Sequence, residues 1–252
     1  MVRSEGVTLA RARALIMEGR VRVNGVPAHS ARQSIRADAR VEVEQVRRFV
    51  SRGGEKLDHA LASFDIDVKG FVTLDVGAST GGFTDCLLQR GAASVCAVDV
   101  GYGQLDWRLR NDPRVQVLER TNFRRLPDDA FPLGFDAIVI DTSFISLRTI
   151  LARATAYLRT EGCILALVKP QFEVGRARLG AGGVVRDPAV HRAVLREVRD
   201  AASAIGLCAV ALAASPLLGP AGNREFLLEL RRVGDAVDDA RVEQVVGEES
   251  KA

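Results

Sequence analysis

The stretch from Leu74 to Leu87, LDVGASTGGFTDCL, limits the possible folds of this chain more than any other part of the sequence. An apolar run ends at Val76, a glycine-rich segment follows, and an amphipathic stretch begins at Phe83. This order predicts a strand, a tight turn and a helix. In open α/β sheets ligands bind at such turns, because glycines admit a close approach to backbone N–H groups and the helix N-terminus favours negative charge.

The next apolar run, Val95–Val98, ends at an acidic residue, Asp99. In doubly wound sheets a carboxylate at this position can bind the two hydroxyl groups of a ribose. The two segments together favour a cofactor that contains a nucleoside.

Three enzyme classes could use the glycine-rich turn. The dinucleotide motif G-x-G-x-x-G is incomplete, because Ser79 replaces its second glycine. The stretch Gly77–Gly81 satisfies the G-x-S-x-G motif of α/β-hydrolases, but these need a late histidine, and the last one, His191, precedes a predicted helix. We favour the S-adenosylmethionine loop of a methyltransferase, in which Asp75 and the glycines hold the amino-acid end of the cofactor. A purely structural glycine turn is the remaining alternative.

Positive charge is concentrated in the N-terminal quarter of the chain. The 252 residues carry a formal net charge of +3, yet residues 1–56 contain 12 Lys and Arg against 6 Asp and Glu. A polyanion such as RNA could bind to this part, although a solvated basic face would have the same composition.

The sequence disfavours several protein classes. No run of about 18 apolar residues predicts a transmembrane helix, and the N-terminus lacks the apolar region of a signal peptide. The four cysteines stand singly, without C-x-x-C spacing, which predicts reduced thiols and not metal ligands or disulfides. We therefore expect a cytoplasmic protein with no metal site.

Two domains are predicted. Residues 1–46 combine a helix, a hairpin that turns at Asn24-Gly25 and a further strand, which is typical of a small α+β domain. We interpret residues 47–54 as a basic linker, residues 55–234 as the second domain and residues 235–252 as an acidic tail.

In the second domain strands and helices alternate. This pattern predicts an α/β fold with a mostly parallel, doubly wound sheet. The predicted strands are Val72–Val76, Val95–Asp99, Val115–Leu118, Ala137–Asp141, Ile164–Val168, Ala209–Ala213 and Phe226–Leu230.

Four polar residues are expected to meet at one edge of this sheet. Asp141 and Lys169 end predicted strands, Glu225 opens the last strand, and Lys56 precedes the first helix of the second domain. Strand ends build the active site of a doubly wound sheet. The chain has 31 Arg and only 4 Lys, and lysine, unlike arginine, can lose its proton in a buried site. Two lysines at these positions therefore indicate chemistry.

These residues lie within long motifs: VSRGGEKL, LDVGASTGGFTDCLL, DVGYGQLDWRLRNDPRV, LERTNF, DTSFISL, VKPQFEVG, GGVVRDP and SPLLGPAGNREF. With these motifs the chain closely resembles the TlyA-type ribose methyltransferases of the FtsJ-like group, some of which are labelled haemolysins. The resemblance implies a Rossmann-like class I methyltransferase domain after an S4-type RNA-binding domain. It also implies S-adenosylmethionine as cofactor and 2′-O-methylation of cytidine in the ribosomal RNA of one or both subunits.

The resemblance also implies roles for individual residues. Lys56, Asp141, Lys169 and Glu225 match the catalytic K-D-K-E tetrad of the family. The implied cofactor-binding positions are Asp75, Gly77, Ser79, Gly81, Gly82, Phe83, Asp99, Val100, Asn122 and Asp141. The RNA-binding positions that we expect are Arg11, Arg13, Arg20, Arg22, Arg32, Arg47, Arg48 and Arg52.

We assign the four tetrad residues distinct tasks as a hypothesis. Lys169 would accept the proton of the ribose hydroxyl as general base. Lys56 would lower the proton affinity of Lys169 by charge repulsion and orient the hydroxyl. Asp141 and Glu225 would hold the two amines by charge-assisted hydrogen bonds.

The N-terminal domain departs from the family pattern in one respect. S4-type domains usually begin with a further helix, of which only Met1-Val2-Arg3 is present, so we expect either a misassigned start or a shortened domain. Two other functions stay open: a membrane-lysing toxin, which the haemolysin label suggests, and a non-catalytic RNA-binding or assembly factor. The complete tetrad argues against the second, because a pure binder does not need two buried lysines.

Overall fold

The structure is a computed structural model that describes residues 9–17, 19–30, 32–36, 38–43, 48–175 and 179–248. Contacts between residues divide the chain into two compact units, residues 1–47 and residues 48–252.

The first unit is a small α+β structure. It contains the helix α1 (Leu9–Met17) and an antiparallel sheet in the order β2-β1-β3, formed by β1 (Val21–Val23), β2 (Val26–Pro27) and β3 (Val41–Val43). The predicted hairpin is confirmed: Asn24 and Gly25 have φ values of +50° and +80°, as the tight turn between paired strands requires. Leu15, Val21 and Ala28 form the small apolar core.

The second unit is built on a seven-stranded sheet in the order β6-β5-β4-β7-β8-β10-β9. Neighbouring strands run parallel from β6 to β8, whereas β10 is antiparallel to both β8 and β9. The strands are β4 (Val72–Val76), β5 (Ser94–Val98), β6 (Val115–Leu118), β7 (Phe135–Ile140), β8 (Leu158–Val168), β9 (Cys208–Ala214) and β10 (Phe226–Arg231). The helices are α2 (Arg52–Ser63), α3 (Gly82–Gln89), α4 (Trp107–Arg110), α5 (Leu147–Tyr157), α6 (Pro170–Glu173), α7 (Pro188–Ser203) and α8 (Asp239–Gly247).

Helices cover both faces of this sheet, which confirms the doubly wound α/β prediction. In β7, Ile138 and Ile140 belong to an apolar cluster with side chains of α5, α7 and α8. The intervening Ala137 and Val139 belong to a second cluster with side chains of α2, α3 and α4. Successive side chains of a strand point to opposite faces, so a strand buried on both sides becomes continuously apolar.

The antiparallel direction of β10 decides where Glu225 lies. The carboxyl ends of parallel strands share one edge of the sheet, and β10, which runs the other way, begins at that edge. Phe226 pairs with Val168, so the register continued by one residue sets Glu225 opposite Lys169.

The start of the second unit differs from our prediction. Residues 48–54 are not a linker: Phe49 is buried in the same cluster as Leu57, and α2 begins at Arg52. Lys56 therefore lies within α2 and does not precede the first helix. Gly54 is required here because a Cβ atom at this position would collide with the ring of Phe49.

The end of the chain also differs from our prediction. Residues 239–247 form α8, and its side chains Val242, Val245 and Val246 are buried in the main core. Spacings of three and four residues place these valines on one side of a helix. Most of the predicted acidic tail that the structure describes is thus a helix that packs into the core of the second unit.

Candidate active site

A cavity of about 520 Å³ opens at the carboxyl edge of the parallel strands. Six of the predicted cofactor residues line it: Gly77, Ser79, Asp99, Val100, Asn122 and Asp141. The segments after β4, β5, β6 and β7 supply its walls, as expected for a doubly wound sheet. Its volume lies within the roughly 300–1,000 Å³ typical of small-molecule sites.

The turn after β4 forms one wall of the cavity. Gly77 has φ of +87°, and a Cβ atom there would lie 2.6 Å from the backbone oxygen of Asp141. Ser79 also has positive φ, +49°, and its N–H donates to Oδ2 of Asp99 at 2.8 Å. The other oxygen of Asp99 accepts from the N–H of Gly101 at 2.6 Å. The Asp99 carboxylate therefore fixes the turn in addition to lining the cavity.

Asp75 lies outside the cavity lining and is fully buried. Its Oδ2 accepts a hydrogen bond from the Thr84 hydroxyl at 2.7 Å, whereas Oδ1 has no hydrogen-bond partner within the described residues. Burial raises the pKa of Asp75 to about 7, and the Thr84 hydrogen bond offsets only part of this effect. Asp75 thus keeps one carboxylate oxygen available two residues before Gly77.

The raised pKa of Asp75 makes stability depend on pH. Between the ordinary value of 3.8 and about 7 the folded protein binds more protons than the unfolded chain, so the free energy of unfolding should fall as pH rises through this range. Asp75→Asn removes this titration while keeping an oxygen that can accept from Thr84. Urea unfolding at pH 5, 6, 7 and 8 should show wild type losing stability relative to the variant. Parallel pH curves would contradict the assignment.

Three predicted cofactor residues serve packing. Gly81 directly precedes α3 and has φ of +95°, and a Cβ atom there would collide with Leu109. A Cβ atom on Gly82 would lie 2.9 Å from the backbone nitrogen of Gly54, so the starts of α2 and α3 are in close contact. The Phe83 side chain is buried in the apolar cluster on this face of the sheet. The role of Phe83 as a cofactor contact stays a prediction.

The predicted residue Asn122 lies directly before a short 3-10 turn after β6, and its side-chain oxygen accepts a hydrogen bond from the N–H of Arg124.

Several other residues that line the cavity were not predicted. The additional lining residues are Val76, Val98, Gln104, Thr121, Phe123, Arg124, Thr142, Ser143, Phe144, Ile145 and Ile150. Most follow a strand that the sequence had identified, and this position is the signal that could have found them.

The four predicted catalytic residues form two ion pairs. Nζ of Lys56 lies 2.5 Å from Oε2 of Glu225, and both side chains are buried. Nζ of Lys169 lies 2.6 Å from Oδ1 of Asp141, and both side chains are mostly buried. Lys169 also donates to the hydroxyl of Ser143 at 3.0 Å. Since Asp141 and Ser143 both line the cavity, the Lys169 amine lies next to it.

This pairing changes one part of our mechanistic hypothesis. We expected Lys56 to act on Lys169 by charge repulsion, but the carboxylate of Glu225 neutralises the charge of Lys56 at 2.5 Å. Each amine has its own carboxylate, so the repulsion between the two amines is largely offset. Lys56 and Glu225 form a buried pair outside the cavity lining, and Glu225 directly precedes the residue that pairs with Val168, the neighbour of Lys169.

The predicted RNA-binding arginines have different surroundings. Arg13, Arg22, Arg32 and Arg52 are exposed, and Arg20 is half-buried. Arg48 forms an ion pair with Asp58 at 2.5 Å and its guanidinium lies 4.7 Å from the centre of the Phe49 ring. Arg48 therefore has a structural role in the second unit. Arg47 and the side chain of Arg11 lie outside the described residues.

Among the residues that the structure describes, no group of three or more His, Cys, Asp or Glu side chains could hold a metal ion. In the same part of the chain, no helix is long and apolar enough to cross a membrane.

Comparison with known proteins identifies the family. The sequence profile of the FtsJ-like methyltransferases matches residues 49–232, which is most of the chain and nearly all of the second unit. The chain belongs to the FtsJ-like methyltransferase family. Its members are enzymes, and the cavity described above lies within the matched residues.

Individual relatives cover more of the chain than this FtsJ-like domain. The 16S/23S rRNA (cytidine-2′-O)-methyltransferase TlyA of Mycobacterium tuberculosis is 48% identical over 229 residues, which are 90% of this chain and 85% of the relative. Hemolysin A of Brachyspira hyodysenteriae is 39% identical over 90% of this chain and 95% of its own length. A solved structure from Streptococcus thermophilus, described as a candidate hemolysin, has a TM-score of 0.76 and 41% identity, and the match covers 95% of this chain and 89% of that one.

Proposed function

We propose that this protein transfers the methyl group of S-adenosylmethionine to the 2′-hydroxyl of cytidine in ribosomal RNA. The observation that carries this proposal is the ion pair of Lys169 and Asp141 at the wall of the cavity. A cofactor site alone is common to methyltransferases of many kinds. A buried lysine beside it supplies a group that can accept the proton of a weakly acidic hydroxyl.

The residues of the cavity fit the proposed cofactor. Gly77 leaves room where a side chain would reach the backbone of Asp141. Each oxygen of Asp99 accepts one backbone N–H and keeps a lone pair for a ribose hydroxyl. The unpartnered Oδ1 of Asp75 is available to the ammonium group of the amino-acid end. When bound, S-adenosylmethionine supplies a methyl group on a positively charged sulfur.

The reaction needs a base and an alignment that this site can provide. A ribose hydroxyl is a weak acid, and removing its proton in step with methyl transfer contributes about 10²–10⁴-fold to the rate. Lys169 in its neutral form would accept that proton at Nζ, and the hydroxyl oxygen would form its new bond to the methyl carbon. Asp141 then stabilises the charged amine at 2.6 Å.

The Lys56–Glu225 pair has a positioning role in this proposal. The pair is buried, and breaking a buried ion pair by removing one partner leaves an uncompensated charge. Lys56 keeps donors in addition to the one used by Glu225, and these could orient the substrate hydroxyl.

RNA binding is proposed for the first unit. Its exposed arginines Arg13, Arg22 and Arg32 provide positive charge for phosphate contacts. We also propose that residues 1–46 act as an S4-type RNA-binding domain and that the protein acts in the cytoplasm, where its ribosomal substrate would be. The exposed Arg52 at the start of α2 is a further proposed phosphate contact, in the second unit.

Radiolabelled S-adenosylmethionine tests the proposed function directly. Small and large ribosomal subunits from a strain that lacks the enzyme are incubated separately with wild-type protein. We expect label in RNA, and digestion to nucleosides should give 2′-O-methylcytidine. Binding of subunits without any transfer would overturn the proposal in favour of an assembly factor. Dye release from liposomes by the purified protein would instead support a membrane-active role, which the name of the Brachyspira hyodysenteriae relative raises.

A further inference from the structure

We infer that Glu173 is a positioning residue for methyl transfer, because its buried carboxylate joins the segment that carries Asp141 to the segment that carries Lys169. This inference rests on the proposed function of the same site. Glu173 belongs neither to the cavity lining nor to the predicted tetrad, and its side chain is only 2% exposed.

Glu173 binds the start of α5. Ser146 precedes this helix, but its hydroxyl does not cap the helix. The hydroxyl donates to Oε2 of Glu173 at 2.6 Å, and the N–H of Leu147 donates to Oε1 at 2.6 Å. A carboxylate from a different segment thus satisfies a free N–H of the first turn, where negative charge is favourable.

The hydrogen bonds of Glu173 connect the chain segment after Asp141 to the chain segment after Lys169. Glu173 is the last residue of α6, four residues after Lys169, and Ser146 follows Asp141 by five residues. The ion pair of Lys169 and Asp141 joins the same two segments at their other ends. The ring centres of Phe144 and Phe172 lie 5.1 Å apart between these two contacts. Three sets of contacts therefore join the segments 141–147 and 169–173: an ion pair, a contact between two rings, and the hydrogen bonds of Glu173.

The buried carboxylate of Glu173 has several polar partners. Burying a charge is costly unless it is paired and hydrogen-bonded. Glu173 has both donors at 2.6 Å, and Nε of Arg148 lies 3.4 Å from Oε2. An apolar side chain could fill the same space, so the charge of Glu173 serves its hydrogen bonds and not packing alone. It holds the start of α5 at a fixed distance from α6, and so fixes Asp141 and Ser143 relative to the amine of Lys169.

The test compares two changes at Glu173 with a matched buried carboxylate. Glu173→Ala removes both acceptors, and Glu173→Gln keeps one acceptor and a group that can donate to Ser146. Glu229 is the control, because it is also buried and paired with an arginine, Arg231, but lies in the middle of β10. Methyl transfer to ribosomal subunits is measured at saturating and at limiting RNA, after unfolding curves have shown which variants are folded.

We expect Glu173→Ala to lower kcat by about 100-fold with little change in KM for RNA, since a misplacement of about 1 Å can have this effect. Glu173→Gln should retain most of the wild-type kcat. Glu229→Ala should keep the wild-type kcat even if the variant is less stable than wild type. If Glu173→Ala does not fold, Ser146→Ala is used, which removes one donor to the carboxylate and should lower kcat in the same direction.

Other results would overturn the inference. Equal kcat values for folded Glu173→Ala, or for Ser146→Ala, and for Glu229→Ala would show that Glu173 stabilises the fold without positioning the site. An equal loss in Glu173→Gln and Glu173→Ala would show that the hydrogen bonds are not what matters. Absence of transfer by wild type and by the Glu229 control would instead overturn the proposed function, and the inference with it.

Discussion

Replacing Lys169 by alanine should lower the rate of methyl transfer by at least about 100-fold, the lower limit expected for loss of a general base. The change also leaves the mostly buried Asp141 without its partner at 2.6 Å. The affinity for S-adenosylmethionine should change little, because Lys169 itself does not line the cavity. Single-turnover transfer with radiolabelled cofactor and calorimetric cofactor binding measure the two effects separately.

Lys169→Arg distinguishes a base from a positive charge. Arginine keeps the charge that pairs with Asp141, but it does not lose its proton in proteins. If Lys169 is the base, the arginine variant should be as inactive as the alanine variant. Lys69→Ala is the matched control, since Lys69 is exposed and outside the cavity lining. Retention of more than about a tenth of wild-type turnover by Lys169→Ala would contradict a base contribution of the usual size.

Gly77→Ala should weaken cofactor binding and lower activity with it. At φ of +87° a residue other than glycine costs roughly 1–2 kcal/mol, and the added Cβ would lie 2.6 Å from the backbone oxygen of Asp141. This neighbour is backbone that leads into the catalytic segment, so relief of the collision has to move either the turn or Asp141. We expect calorimetric affinity for S-adenosylmethionine to fall at least about tenfold, the effect of 1.4 kcal/mol.

Gly70→Ala separates strain from collision. Gly70 has a similar φ of +78°, but no heavy atom lies within 4 Å of the position its Cβ would occupy. Both variants carry a similar backbone strain, so thermal unfolding should show a loss of stability in each, with the collision adding to the loss in the Gly77 variant. Only the Gly77 variant should bind the cofactor more weakly. Equal affinities in the two variants would contradict the proposed cofactor turn.

Strands and their ends were the features most accessible from the sequence. The strands β4 and β6 have the predicted bounds, because their apolar runs stop at turn residues. The strand β8 begins at Leu158, six residues before the prediction. Its first part is polar, and the ion pair of Arg159 with Asp136 at 2.6 Å involves a residue distant in sequence. A local pattern cannot reveal support of this kind.

Glycines misled the prediction where they serve close packing. Gly53 and Gly54 fell within the predicted basic linker, yet they lie in the first turn of α2 beside Phe49 and the start of α3. Gly82 also allows close contact between two helices, and its role as a cofactor contact stays a prediction. A glycine that admits a ligand and a glycine that admits another helix have the same local signature, and only the tertiary contact distinguishes them.

The candidate site was predicted in its members but not in its pairing. Strand order placed Asp141, Lys169 and Glu225 at one edge, because each adjoins a strand end. The sequence could not show that Lys56 pairs with Glu225 and Lys169 with Asp141, because the choice depends on side-chain distances. Glu173 was missed altogether: a glutamate inside a short helix has no local feature that indicates a buried carboxylate.

The antiparallel strand β10 has a consequence for synthesis of the protein. Lys56 pairs with Glu225, which is 169 positions later in the chain. Glu225 directly precedes β10, which lies between β8 and β9 in the sheet. A nascent chain that has emerged as far as Lys169 already contains Lys56 and Asp141, but it lacks the carboxylate that neutralises Lys56. The Lys56–Glu225 pair cannot form before residue 225 has been synthesised, so we expect a chain that ends before β10 to lack methyl-transfer activity.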